Sequence, residues 1–128
     1  MARIGFGMVV LLGVAQGDIE RDAEFLADRI VGMRIFADTA GKMNLAAPAA
    51  GAAILVVSQF TLIADTSQRR PSFIQAAAPD EARLLYQRFI LFLKKAGVSV
   101  EQGRFGTYME VTLVNDGPVT IVVDSRNR

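Results

Sequence analysis

Two polar segments follow or precede apolar runs directly, and they are the places where this chain is best equipped for chemistry. The first segment, residues 58–61, reads Ser-Gln-Phe-Thr and comes straight after the apolar run at residues 54–57. The side-chain amide of Gln59 and the backbone amides at that strand end offer hydrogen-bond donors to an oxyanion that develops during acyl transfer. A strand that simply leaves the core, with its hydroxyls bonded to neighbouring backbone, explains the same residues without catalysis.

The second segment, residues 115–120, reads Asn-Asp-Gly-Pro-Val-Thr. Its residue types are typical of a plain reverse turn, because Asn, Asp and Gly tolerate positive φ. A proline at the start of a strand gives up a backbone donor. Because X-Pro bonds in folded proteins are mostly trans, the sequence alone leaves the isomer of Gly117-Pro118 open.

The composition excludes most side-chain catalysis, because the chain contains neither His nor Cys. There is therefore no Ser-His-Asp triad, no histidine base, no thiolate nucleophile and no disulfide. Any enzymatic chemistry must come from carboxylates, hydroxyls, Lys or Arg, backbone dipoles or the substrate itself. No group of residues has metal-ligand spacing, and that of Asp65 and Glu110 does not support a carboxylate pair. We expect no metal and no cofactor.

The charge balance gives no strong indication of a partner. With 14 Lys+Arg against 13 Asp+Glu, the formal net charge is +1. A nucleic-acid partner is neither implied nor excluded. Arg69 and Arg70 are adjacent in a polar loop. We predict that this loop is solvated, since two arginines alone do not define a nucleic-acid surface.

The first fifteen residues weakly imitate a secretory signal, with Arg3 followed by an apolar run and small residues. Three glycines interrupt that pattern, and residues 9–12 fit a buried strand equally well. No apolar run approaches the length that a membrane helix needs. The sequence therefore predicts a cytoplasmic protein with no membrane segment.

The pattern of elements predicts one α+β domain over residues 1–128. A first helix is expected with Asp18 as its cap. A second begins at Pro79 and stops at Gly97. Its expected core face carries Ala82, Leu85, Phe89, Phe92 and Ala96. The expected strands cover residues 8–14, 34–36, 54–57, 109–113 and 119–123.

Together the two polar segments resemble the two signature motifs of D-aminoacyl-tRNA deacylases, the first of which continues into Leu62. Short stretches around them are similar too: Leu-Leu-Gly-Val at 11–14, Leu-Ala-Asp-Arg-Ile at 26–30, Arg-Ile-Phe at 34–36, Gly-Lys-Met-Asn at 41–44, Arg-Pro-Ser-Phe at 70–73 and Gly-Arg-Phe-Gly at 103–106. The resemblance runs from residue 4 to residue 124, and two motifs in this order and context are highly specific.

The resemblance implies a homodimeric hydrolase that cleaves the ester between a D-amino acid and the 3′-terminal adenosine of tRNA. The implied fold is a curled, largely antiparallel sheet or barrel flanked by two helices. In that family the peptide matching Gly117-Pro118 is cis. Its carbonyls project into the partner subunit's site, where they hold the amino group and crowd out an L side chain. Glycine has no side chain to reject, so we expect hydrolysis of glycyl-tRNA as well, including glycine mischarged on tRNA-Ala.

The same resemblance implies roles for individual residues. Ser58, Gln59, Phe60 and Thr61 match the catalytic segment that lines the aminoacyl-adenosine pocket. Catalysis is attributed to the ribose 2′-hydroxyl of the substrate, with backbone amides near Phe60 and Thr61 holding the oxyanion. An alternative makes Thr61 the nucleophile.

The remaining substrate contacts implied by the family pattern lie in the last third of the chain. Phe105 and Met109 match positions near the adenine. Asn115 and Thr120, which flank the Gly-Pro peptide, are expected to contribute to substrate binding.

The chain departs from the family pattern at its start, where members carry a first strand containing Gln-Arg-Val before the stretch that matches Ile4. A misassigned start codon and a genuinely shortened protein both explain this difference. Loss of a central strand exposes unpaired backbone. A non-catalytic tRNA-binding or dimerising remnant is therefore the main alternative to an active hydrolase. A small-molecule-binding protein without an RNA partner is a third possibility.

Overall fold

The computed structural model describes residues 1–127. These residues form an α+β domain, as the sequence pattern predicts. Its elements in chain order are β1 (Gly7–Leu12), α1 (Glu20–Gly32), β2 (Phe36–Ala37), β3 (Met43–Leu45), α2 (Ala47–Ala50), β4 (Ala53–Ser58), a 3₁₀ turn (Phe60–Leu62), α3 (Pro79–Lys95) and β5 (Val100–Gln102). Three α-helices are therefore present in this part of the chain, where two are expected from the sequence.

The main sheet is open and parallel, so the expectation of a curled, largely antiparallel sheet or barrel is wrong. Strand β4 lies in the middle and pairs in parallel with β1 on one side and with β5 on the other. Parallel neighbours need a long crossover connection, and α1 and α3 supply the two that are required. Of the paired strands in residues 1–127, only β2 and β3 run antiparallel.

The hydrophobic core lies between this sheet and the two long helices. Ile54 and Val56 of β4 are fully buried, as a continuous apolar run in a central parallel strand predicts. Helices α1 and α3 pack against each other. Ala23 and Ala27 on α1 are small, buried and part of the same core cluster as Phe89 on α3.

Helix α3 confirms the boundaries predicted from its end signals. It begins at Pro79, carries acidic residues in its first turn and lysines in its last, and is followed by Gly97 at φ 86°. The buried face differs from the expected one. Of the five expected core positions only Phe89 is fully buried, and Ala96 is exposed. The buried residues of the helix are Tyr86, Phe89, Ile90 and Leu93.

The N-terminal end of α1 is capped differently from the prediction. Ile19 is the cap residue, and its N–H donates to the Asp22 carboxylate at 2.8 Å. Asp18 lies one residue too early, and its carboxylate accepts the N–H of Ala15 at 2.8 Å instead. The carboxylate of Asp18 therefore stabilises the loop before the helix, together with Arg126 at 3.4 Å.

The two strands predicted at residues 109–113 and 119–123 do not form. Both stretches run without regular secondary structure. Alternation of apolar and polar residues signals an extended segment, but a strand also needs a neighbour to exchange backbone hydrogen bonds. No strand in residues 1–127 pairs with either stretch. Large apolar side chains nearby are consequently exposed, among them Tyr108 (98%), Val114 (90%) and Val122 (91%).

We expect Phe89 to contribute strongly to the free energy of unfolding. Its side chain, on α3, is 0% exposed and lies in the hydrophobic core. Phe89→Ala should lower the free energy of unfolding by about 3–5 kcal/mol, because it leaves a cavity that the parallel sheet cannot collapse into. Leu84→Ala is the matched control, since Leu84 lies on the same helix and is 59% exposed. Urea denaturation of both variants at one protein concentration checks this. Equal losses from the two substitutions would contradict the assigned core.

Candidate active site

The three parallel strands end at one edge of the sheet, and several loops converge there. Strand β1 ends at Leu12, β4 at Ser58 and β5 at Gln102. In open sheets covered by helices, ligands bind in the crevice outside the carboxyl ends of the strands. The 58–61 segment begins at this edge, and Gly103 follows β5 at the same edge. The fold therefore places the first polar segment where a ligand site is expected.

The loop after β4 is anchored closely to the loop after β1. The N–H of Gln59 donates to the carbonyl of Leu12 at 2.8 Å. A side chain on Gly13 would place its Cβ 3.0 Å from Leu62 Cβ and 3.2 Å from the carbonyl oxygen of Gln59. A side chain at residue 13 would therefore require its neighbours to move by a few tenths of an ångström, and glycine allows the two loops to approach closely without that shift. The 58–61 segment is therefore held in a fixed position at the sheet edge.

The tight turn that follows leaves two backbone amides free of backbone acceptors. Its first hydrogen bond runs from Leu62 N–H to Gln59 O at 3.2 Å, and the next from Ile63 N–H to Phe60 O at 3.0 Å. The amides of Phe60 and Thr61 precede the first of these bonds, so the turn itself supplies no acceptor for them. Both residues are exposed. These amides can donate to an anion at the surface.

The Gln59 and Thr61 side chains orient each other beside these amides. The side-chain amide of Gln59 donates to the Thr61 hydroxyl oxygen at 2.6 Å. A carboxamide is not a base at neutral pH, so this contact positions the hydroxyl without activating it as a nucleophile.

Met109 and Phe105 both lie near the segment that follows β5, Met109 against Gly103 and Phe105 against Tyr86. A Cβ on Gly103 would lie 3.3 Å from Met109 Sδ. The Phe105 ring packs against Tyr86, with 5.6 Å between ring centroids. The guanidinium carbon of Arg83 lies 5.3 Å from the Phe105 ring centroid. The result is a half-buried apolar surface with a cation over one ring.

Tyr86 connects the ends of β4 and β5 on the side of the sheet covered by α3. Its ring is buried, and its hydroxyl donates to the carbonyl of Gly103 at 2.8 Å, with the carbonyl of Val56 3.2 Å away. Burial raises the pKa of the Tyr86 hydroxyl, so the group stays protonated and remains a donor.

The 115–120 segment is braced by its first and last residues. The Asn115 side-chain oxygen accepts the N–H of Val119 at 2.9 Å, and its nitrogen donates to the Thr120 hydroxyl at 3.0 Å. The Gly117-Pro118 peptide between them is cis. The whole segment is exposed. Asn115 and Thr120 thus support a loop that presents the Gly-Pro peptide to the surroundings.

The structure does not join the two polar segments within one chain. No hydrogen bond or ring contact among residues 1–127 connects the 115–120 segment with Ser58, Gln59, Phe60 or Thr61. The same region contains no group of three or more His, Cys, Asp or Glu side chains placed to hold a metal ion. None of its helices combines the length and the apolar character needed to cross a bilayer.

Comparison with known proteins supplies the family. The sequence profile described as D-Tyr-tRNA(Tyr) deacylase matches residues 1–124. The chain belongs to this family. A D-aminoacyl-tRNA deacylase of Dehalococcoides mccartyi is 54% identical over 129 residues, which cover 100% of this chain and 84% of that protein. A D-aminoacyl-tRNA deacylase of Symbiobacterium thermophilum is 53% identical, with 98% of this chain and 83% of that protein covered.

Two solved structures share the fold of this chain. The chain superimposes on the c-Myc DNA Unwinding Element Binding Protein with a TM-score of 0.86 at 36% identity, covering 92% of this chain and 81% of that one. A probable eukaryotic D-amino acid tRNA deacylase gives a TM-score of 0.65 at 18% identity, covering 78% and 74%. The second likeness shows a shared fold alone.

Two residues that pack beside this candidate site lie outside the sequence motifs. Tyr86 and Arg83 lie inside what reads as an ordinary amphipathic helix. A tyrosine in a buried helix stripe is a usable signal, because its hydroxyl must find a partner when it is buried. Phe73 does lie in a family-like stretch, Arg-Pro-Ser-Phe at 70–73, but that stretch does not indicate its partner. Its ring packs edge-on against Phe60, with 5.4 Å between the ring centroids. Only the fold brings residue 73 back to residue 60.

Proposed function

We propose that this protein hydrolyses the ester bond of D-aminoacyl-tRNA and of glycyl-tRNA, releasing the amino acid and tRNA, and rejects L-aminoacyl-tRNA. The match to D-aminoacyl-tRNA deacylases over nearly the whole chain, with both polar segments intact, is the observation that carries this function. The substrate also suggests the place of action: aminoacyl-tRNA is used in translation, so we infer that the protein works in the cytoplasm.

We infer that the ester carbonyl lies against the amides of Phe60 and Thr61. Water adds to the carbonyl carbon, and the negative charge that develops on the carbonyl oxygen is stabilised by these two donors. The tetrahedral intermediate then expels the ribose 3′-oxygen, which leaves with a proton. The chain has no His or Cys to move that proton. The neighbouring ribose 2′-hydroxyl is the group best placed to do so.

The terminal adenine is proposed to bind at the surface formed by Phe105 and Met109. An aromatic ring and a thioether suit a flat base, because stacking and dispersion do not need hydrogen bonds of fixed direction. This surface and the 58–61 segment follow neighbouring strands at the same sheet edge. We therefore infer that one aminoacyl-adenosine occupies both, with its ester at the 58–61 segment and its base at Phe105 and Met109.

Chiral selection is proposed to come from Gly117-Pro118 of a second subunit. In support, the 115–120 segment is exposed, and no hydrogen bond or ring contact among the described residues joins it to the 58–61 segment of its own chain. The apolar side chains exposed around it also suit an interface, since large exposed apolar patches mark protein contacts. In a homodimer each subunit would thus complete the other's site with main-chain carbonyls. Asn115 and Thr120 would act by holding that loop in shape.

Parallel time courses on D-tyrosyl-, L-tyrosyl- and glycyl-tRNA test the proposed function. We expect the D and glycyl esters to be cleaved well above their spontaneous rates, and the L ester at its spontaneous rate. The proposed mechanism rejects an L-amino acid by its side chain, and glycine has none. If the enzyme cleaves D-tyrosyl-tRNA but leaves glycyl-tRNA intact, a purely steric mechanism is ruled out. Binding of D-tyrosyl-tRNA without turnover would instead identify a non-catalytic remnant.

A further inference from the structure

A hairpin beside the 58–61 segment carries two adjacent arginines at its exposed end. Asp65 and Ser72 exchange two backbone hydrogen bonds, at 2.8 and 2.9 Å, which close the hairpin. Arg69 and Arg70 lie in the loop between them, and every residue from 65 to 72 is exposed. We call residues 65–72 the arginine hairpin.

The arginine hairpin is fixed to the site rather than free to move away from it. Phe73, the residue directly after it, packs against Phe60 with 5.4 Å between ring centroids. The chain that continues from there is bonded to the exit of β1: Ala77 N–H donates to Val14 O at 2.9 Å, and Gln16 N–H donates to Gln75 O at 2.8 Å. The hairpin therefore keeps a set position relative to the amides of the 58–61 segment.

Both arginines are available to a partner. The ion pairs found within residues 1–127 involve Arg88 and Arg126, not Arg69 or Arg70. Asp65, the carboxylate of the hairpin, accepts the N–H of Ser67 at 2.9 Å. Among the described residues the positive charge at the hairpin end is consequently without an ion-pair partner, and it lies beside the site proposed for the tRNA ester.

We propose that Arg69 and Arg70 bind phosphates of the tRNA acceptor strand just before its terminal adenosine. This inference rests on the proposed function and extends it, because that function concerns only the last nucleoside. When the ester carbonyl lies at the Phe60 amide, the tRNA strand must continue across the protein surface around Phe60. Phe73, which packs on Phe60, directly follows the arginine hairpin, so the hairpin is part of that surface. A guanidinium fork matches phosphate oxygens and stays charged at all relevant pH values.

The double variant Arg69→Ala/Arg70→Ala tests this proposal on two substrates. With D-tyrosyl-tRNA we expect kcat/KM to fall about tenfold at low salt, through KM. With D-tyrosyl-adenosine, which has no phosphate, kcat/KM should stay unchanged. For uncharged tRNA, log Kd plotted against log salt should lose about 1.4 to 1.8 units of slope, the value for two lost phosphate contacts. Arg69→Lys/Arg70→Lys should keep most of that slope.

Lys94→Ala/Lys95→Ala is the matched control, because it removes the same charge at the end of α3. That helix end lies before β5, so it is at the opposite edge of the sheet. We expect this control to leave both kcat/KM and the salt slope close to wild type. A salt slope lost equally in the control would show that general charge, not the hairpin, drives binding, and would overturn the proposal.

Two further outcomes would also overturn it. Equal loss of activity on D-tyrosyl-tRNA and D-tyrosyl-adenosine would mean that the hairpin only supports Phe60. A changed sedimentation coefficient in the alanine variant would place the arginines at a subunit contact. The tRNA-binding measurement separates this inference from the proposed function. In one outcome the wild-type protein cleaves neither the D-tyrosyl nor the glycyl ester, while the alanine variant binds tRNA more weakly than wild type. That result would contradict the proposed function and support the phosphate contact.

Discussion

D-tyrosyl-tRNA that ends in 2′-deoxyadenosine should be cleaved about 10²- to 10⁴-fold more slowly than the native substrate, while Thr61→Ala should keep activity within about tenfold of wild type. The size of the first effect is that of a lost proton-transfer group. The second follows from the structure, because the Thr61 hydroxyl is bonded to the Gln59 amide and has no base beside it. Its backbone amide, the proposed oxyanion donor, remains in the alanine variant.

Single-turnover hydrolysis with each substrate, corrected for spontaneous loss of the ester, measures this pair of effects. The control compares two uncharged tRNAs, one ending in adenosine and one in 2′-deoxyadenosine, as competitors of D-tyrosyl-tRNA hydrolysis. Equal inhibition by the two shows that loss of the 2′-hydroxyl does not weaken binding. Thr61→Val is a second variant that removes the hydroxyl and keeps the volume and branching of the side chain. If Thr61→Ala is inactive while the 2′-deoxy substrate is cleaved at the native rate, threonine is the nucleophile and substrate assistance is wrong.

The two long helices and the central strand were predictable because their signals are local, whereas the short α2 was not predicted. Pro79, Gly97 and the charges at both ends of α3 act on the helix that contains them. The buried run at residues 54–57 identified β4 in the same way. The face of α3 that is buried was predicted less well, because the choice between Phe92 and Leu93 depends on where α1 packs, and no local pattern contains that information.

The direction of the sheet and the fate of the last third of the chain depend on long-range pairing. Alternation at residues 109–113 predicts an extended segment, and extended segments become strands only where another strand accepts their hydrogen bonds. The sequence pattern cannot show whether such a partner is present. Likewise, an apolar strand followed by a helix can pair with its neighbour in either direction, parallel or antiparallel. The parallel arrangement of β1, β4 and β5 is seen only in the folded structure.

For the candidate site, the sequence motifs picked out the 58–61 segment but not the residues that hold it in place. The 58–61 segment was recognised from its motif, and the fold places it at the sheet edge. Tyr86 and Phe73 act through contacts that span 17 and 13 residues of sequence. Their partners, Gly103 and Phe60, are not adjacent in any local pattern, so only three-dimensional contacts reveal them.

Gly117→Ala should lower the preference for D-tyrosyl- over L-tyrosyl-tRNA about tenfold or more, mainly by raising hydrolysis of the L ester. Gly117 has φ 148°, where L side chains are strained, and a Cβ there would lie 3.0 Å from Val119 Cγ2 and 3.2 Å from Val119 N. The loop must therefore shift. A displacement of about 1 Å is enough to change rates about 10²-fold, so the carbonyls proposed to exclude an L side chain would no longer fill that space. Initial rates on both esters measure the ratio.

Gly97→Ala is the matched control for this substitution. Gly97 also has positive φ, at 86°, but a Cβ there meets no atom within 4 Å, and the residue lies after α3 at the far edge of the sheet. It should cost stability without changing the D/L ratio. Asn115→Ala should move the ratio in the same direction as Gly117→Ala, since it removes the two hydrogen bonds that brace the loop. If Gly117→Ala lowers both rates in proportion and leaves the ratio unchanged, the 115–120 segment supports the fold or the dimer, and chiral rejection must come from elsewhere in the pocket.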